Sequence, residues 1–136
     1  MGDVALASGP VCGAALFVAL TGGRWPRRGI AARPGAIMLR WLGLGLMAAL
    51  EELVWRGFVL AGLALAVGPV SALLLSAGGF AVWHAPALGG RCAVHVVPGV
   101  GFGIAFLLGG LPAAVLAHGT YNVLVDWAVH AERGSP

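Results

Sequence analysis

The chain has 136 residues, of which 60% are hydrophobic and 10% charged, with mean hydropathy +0.94. Soluble domains carry roughly 25% charged residues, so there is no polar surface here to wrap a soluble core, and a single integral-membrane domain over residues 1–136 is expected. The net charge is +3, every basic residue is arginine, and Arg24, Arg27, Arg28, Arg33 and Arg40 crowd one stretch; with no aromatic-studded soluble module beside it, that run reads as a cytoplasmic loop and not as a nucleic-acid surface.

The first apolar segment runs from about Val4 to Leu20. No lysine or arginine precedes it, so it lacks a signal-peptide head and reads as a retained membrane helix. Thr21 to Gly35 is punctuated by Gly, Pro and Arg and reads as a loop. Apolar sequence resumes at Ala36 and continues to Val67. Arg40 and Trp41 look like an interfacial anchor, which starts the span near Leu42; Gly57 marks an expected helix break, and Gly68-Pro69 ends the segment. The third segment covers Val70 to about Ala85 and stops at Pro86. "ALGGRCA" is a loop. The fourth spans about Val94 to Leu108, where Gly99, Gly101 and Gly103 suggest a close-packing face. "GGLP" is a turn, and Pro112 opens a fifth segment that reaches about His130. The expected fold class is thus all-α, a polytopic membrane bundle of about five transmembrane helices. Arginine counting puts the N-terminus outside and the C-terminus inside. Cys12 and Cys92 lie in different segments without CxxC spacing, so neither a disulfide framework nor a thiolate metal site is expected.

Ionisable residues inside a membrane cost at least a few kcal/mol each and are functional candidates by default. Glu51, Glu52, Arg56, His84, His118, Asn122 and Asp126 all fall in or near spans. Glu52 and Arg56 are four apart and share a helical face, as do His118, Asn122 and Asp126. At 1.5 Å per residue, Glu51 lies about 13 Å in from the cytoplasmic side and Asn122 near mid-depth, so the group can converge in the inner half of the bilayer. A carboxylate shielded from bulk water suits a general base. A histidine beside it can hold the water, and a second histidine with an asparagine amide can form an oxyanion hole. Together they describe water attack on an amide or ester carbonyl.

Each residue also has a purely structural reading. Glu52 and Arg56 make an ion pair, His84 caps a helix end, His118 and Asn122 bond between helices, and Asp126 is structural. His95 and His130 are interfacial. From the residues alone, three functions stand: an intramembrane hydrolase, a non-catalytic binding or immunity protein, and a proton-carrying transporter.

Three motifs narrow this. "EELVWR" (Glu51 to Arg56) fits EExxxR, "FAVWH" (Phe80 to His84) fits FxxxH, and "HGTYN" (His118 to Asn122) fits HxxxN. In this order the chain resembles the CPBP family, the CAAX-protease and bacteriocin-processing intramembrane proteases, over about Glu51 to Asp126. Trp55 stands where that family usually has phenylalanine, and fewer helices precede the first motif. The resemblance implies a protease-like core over about 42–130, with residues 1–35 as an extra N-terminal helix and basic loop. It implies that Glu51 activates a water that His84 helps to place, that His118 and Asn122 stabilise the oxyanion, and that Glu52 and Arg56 support the site. The family has been read both as metalloproteases and as glutamate proteases, which leaves zinc open; its ligands here would be Glu51, His84 and His118. The implied surroundings are membrane lipid and a peptide or lipopeptide substrate, with no nucleic acid, in a bacterial plasma membrane.

Overall fold

The structure is a computed structural model that describes residues 2–23 and 34–133. Most of the basic loop, with Arg24, Arg27, Arg28 and Arg33, lies outside the described residues. Nearly all of those described are helical, with no strand among them. The elements are α1 (Gly2–Thr21), α2 (Pro34–Glu52), a π-helical stretch (Leu53–Leu60), α3 (Ala61–Val67), α4 (Pro69–Trp83), the short α5 (Ala85–Leu88), a 3₁₀ turn (Gly89–His95) and α6 (Val96–Arg133).

The expected break near Gly57 is absent. From Pro34 to Val67 the backbone stays helical and widens to π winding around Gly57. A π-turn shifts the hydrogen-bond register and recurs at functional sites. Here Ser76 of α4 donates its hydroxyl to the Trp55 carbonyl at 2.8 Å, tying the neighbouring helix to the widened turn. The run ends at Gly68, whose φ of 80° is a glycine conformation, and Pro69 opens α4 at its first turn.

The expected fourth and fifth spans are one helical run, α6, interrupted only at Gly110 (φ 71°, ψ −170°). The chain nonetheless reverses there. Phe102 and His118 are 16 residues apart, about 24 Å along a straight helix, yet their rings stack at 4.4 Å. The described residues thus form four long helical runs, the last of them two arms that meet at the Gly110 reversal, where the fourth and fifth spans were expected to part. By length and composition one stretch, Ala85–Ala131, is apolar enough to cross a membrane, with mean hydropathy 2.1; Ala7–Thr21 and Pro69–Trp83 are apolar but shorter.

Side-chain size is sorted in the manner of a protein in lipid. Ala48, Ala72, Ala77, Ala113, Ala114 and Ala117 are buried, whereas Leu39, Phe58, Leu65 and Leu108 are largely exposed. Small residues let backbones approach, and lipid tails cover the large ones. The glycines of α6 serve two neighbours: a Cβ on Gly99 or Gly103 would press on Ala77 or Leu73 of α4, and one on Gly101 on Leu16 of α1. The central cluster is Phe80, Phe102, Ala105 and Ala117, with Cys12, Leu16, Trp55 and Tyr121 against it.

Helix α1 docks on the second half of α6 through Gly9 and Gly13. A Cβ on Gly9 would lie 2.6 Å from the Ala113 carbonyl oxygen, and one on Gly13 would collide with the Ala117 carbonyl oxygen. Gly13→Ala is therefore expected to lower the thermal unfolding midpoint in detergent, with overpacking costing about 1–3 kcal/mol. Gly43→Ala, which meets open space in α2, should raise the midpoint or leave it unchanged, because alanine is the better helix former. Equal midpoints for the two variants would mean that α1 is not held at Gly13.

Candidate active site

Glu52 sits at the end of α2, where the winding widens, with its side chain fully buried. Its Oε1 accepts from Arg56 Nη1 at 2.9 Å and stands 2.8 Å from His118 Nδ1 on α6. Arg56 is equally buried; its Nη2 donates to the Gly99 carbonyl at 2.8 Å. Its guanidinium carbon lies 4.8 Å from the Phe80 ring centroid and 5.6 Å from that of Phe102. One arginine thus gathers the α2 end, α4 and the first half of α6, and its partner Glu52 reaches the second half through His118. Rings suit this place because their faces accept a cation that no water can reach.

Glu51, the adjacent residue, points elsewhere. It lines a cavity of about 100 Å³ together with His84, His95, His118, Tyr121 and Asn122. Its Oε2 is 3.8 Å from His118 Nε2, beyond direct hydrogen-bond reach. His118 therefore stands between the two glutamates, Nδ1 toward Glu52 and Nε2 toward Glu51, with its ring stacked on Phe102. His84 caps the end of α4. Its Nδ1 meets the Phe80 carbonyl at 2.8 Å, which satisfies a terminal helix carbonyl and makes Nδ1 the protonated nitrogen for as long as the ring is held in this orientation. In the neutral ring that leaves Nε2 as an acceptor.

The structure thus places Glu51, His84, His118 and Asn122 around one cavity, and Glu52 with Arg56 behind it. His95 also lines the cavity, stacked on His84 at 4.4 Å with 17° between the rings, where an interfacial position was expected. It lies on a 3₁₀ turn, where helical periodicity assigns no face. Arg40 and Trp41 are not a free interfacial anchor either. Arg40 Nε donates to Asp126 Oδ1 at 2.6 Å and Trp41 Nε1 to Asp126 Oδ2 at 3.3 Å, a second tie between α2 and α6. Asn122 lies between the two ties and also lines an open groove of about 530 Å³ with Arg40, Asp126 and His130.

Zinc held by Glu51, His84 and His118 does not fit this arrangement. Among the described residues no three His, Cys, Asp or Glu side chains are placed to hold one ion. The Nδ1 bonds of His84 and His118, to the Phe80 carbonyl and to Glu52, leave each Nε2 free and do not themselves bar a metal; the spacing of the three side chains is what does not fit.

Comparison with known proteins agrees with the motifs. Neither the search of curated proteins nor that of solved structures finds a match. Residues 34–124, well over half the chain, match the family described as type II CAAX prenyl endopeptidase Rce1-like. With its helical fold and that match over its central helices, the chain belongs to the Rce1-like family of type II CAAX prenyl endopeptidases.

Proposed function

We propose that this chain is an intramembrane endopeptidase in which Glu51 activates a water for attack on a peptide carbonyl. The family's general activity is that of a CAAX-type endopeptidase, a membrane-embedded hydrolase. The observation that supports the specific reading is the convergence of Glu51, His84, His118 and Asn122, from α2, α4 and α6, on one cavity of about 100 Å³. Liquid water occupies roughly 30 Å³ per molecule, so this space suits one water and the reacting atoms of a peptide bond.

The steps follow from the atoms present. A water in the cavity donates one hydrogen bond to Glu51 and one to His84 Nε2. Glu51 takes its proton as the oxygen attacks the carbonyl carbon. Negative charge then develops on the carbonyl oxygen, and the Asn122 amide donates to it. His118 already presents Nδ1–H to Glu52, so it donates from Nε2 only as the imidazolium, with both glutamates facing that charge. The tetrahedral intermediate collapses when Glu51 returns the proton to the leaving nitrogen, which releases an amine and a carboxylic acid; the acid's proton then passes to the amine, leaving a carboxylate and an ammonium group. Arg56 stays behind the site and touches no reacting atom.

The substrate in this reading is a membrane-associated or lipidated peptide, and the setting is a bacterial plasma membrane crossed by five helical segments if the Gly110 reversal divides α6. Purified protein in proteoliposomes is expected to cleave members of a quenched lipopeptide library, and to do so equally with and without chelator. His118→Ala and Asn122→Ala should each lower kcat by roughly 10²–10³, the usual loss for one oxyanion donor. Cleavage that survives both substitutions unchanged would remove His118 and Asn122 from the reaction.

A further inference from the structure

His95 has no part in the steps above, yet it lines the same cavity and lies flat against His84. The His84 ring is held from three directions. Its Nδ1 is bonded to the Phe80 carbonyl at 2.8 Å, the Phe80 ring meets it edge-on at 4.7 Å, and His95 covers a face at 4.4 Å. Phe80 belongs to α4 itself, one turn earlier. Among the described residues His95 is the ring brought to His84 from outside α4, across the short α5 and the 3₁₀ turn. His84 ends its helix and is followed at once by a different helical segment, so the main chain beyond it gives the ring little further support.

We propose that His95 is a positioning residue: its ring, stacked on His84, holds Nε2 of His84 toward the water that Glu51 deprotonates. This rests on the endopeptidase reading and adds a residue outside the three sequence motifs. The other ionisable groups on the cavity wall are Glu51 from α2 and His118 and Tyr121 from α6. None of them is stacked on the His84 ring among the described residues. Through the stack the His84 ring keeps Nε2 turned toward the water. A phenyl ring can supply the face, whereas a methyl group cannot.

The test uses the full chain in lipid nanodiscs with ¹⁵N-labelled imidazoles, which is tractable because the sequence contains four histidines. In the wild type and in His95→Phe, His84 should show the Nδ1–H form with an unprotonated Nε2. In His95→Ala the two tautomers should mix, and kcat on a cleaved lipopeptide should fall on the order of 10- to 100-fold, as for other small misplacements of a reacting group, with KM unchanged. His95→Phe should recover most of that kcat. Two results overturn the proposal: His95→Ala keeping the wild-type tautomer and kcat, or His95→Phe losing as much kcat as His95→Ala while the His84 tautomer is unaltered. The latter would make His95 act through its own ring nitrogens. If the wild type cleaves nothing, the endopeptidase reading fails by itself, and the imidazole spectra still decide whether His95 orders His84.

Discussion

Glu51→Gln is expected to abolish peptide cleavage while leaving the fold and substrate binding nearly intact. The substitution keeps the size and planarity of the side chain and removes the group that accepts the water's proton. Among the described residues Glu51 has no direct hydrogen bond to another side chain, and His118 Nε2 is 3.8 Å away. A neutral amide is also easier to hold in a partly buried site than a carboxylate. Melting behaviour and lipopeptide affinity should therefore stay close to wild type as turnover is lost. A binding or immunity protein would tolerate the change. A proton carrier would lose transport with it and show no cleavage in the wild type.

Arg56→Ala is expected to produce the largest loss of stability of any single substitution at the site. The guanidinium holds Glu52 and the Gly99 carbonyl and lies over two rings. Removing it leaves a buried carboxylate short of its partner, an error that typically costs about 3–5 kcal/mol. Glu52→Gln in the same chain removes the stranded charge, so the double variant should melt higher than Arg56→Ala alone. Thermal unfolding of the purified variants reads this directly. A double variant that melts lower than Arg56→Ala would mean that Glu52 is held chiefly by His118, 2.8 Å away on α6.

The parts of this arrangement that were legible in the sequence are those governed by local spacing. Glu52 and Arg56 share a helix face at a separation of four, and they pair. "GGLP" marked the reversal at Gly110, and apolar length marked the helices. What was not legible depends on how distant elements align. The bond between Glu52 and His118 joins residues 66 apart, and no periodicity encodes it. Arg40 and Trp41, ahead of an apolar run, have the composition of an interfacial anchor. Only the register of α2 against α6 shows that Asp126 takes both. Gly57 looked like a break because glycine weakens helices. The buried Arg56 beside it, and the Ser76 bond to the Trp55 carbonyl, instead hold the chain helical in a wider winding.

The central claim is that Glu51 is the base of a peptide hydrolysis. It is tested most directly by comparing wild type and Glu51→Gln on one lipopeptide whose cleavage products have been identified by mass spectrometry. Both proteins should be reconstituted at equal density in the same liposomes. The account predicts steady product formation by the wild type and none above background by the variant. Equal rates for the two, or no cleavage of any lipopeptide by folded wild type, would contradict it.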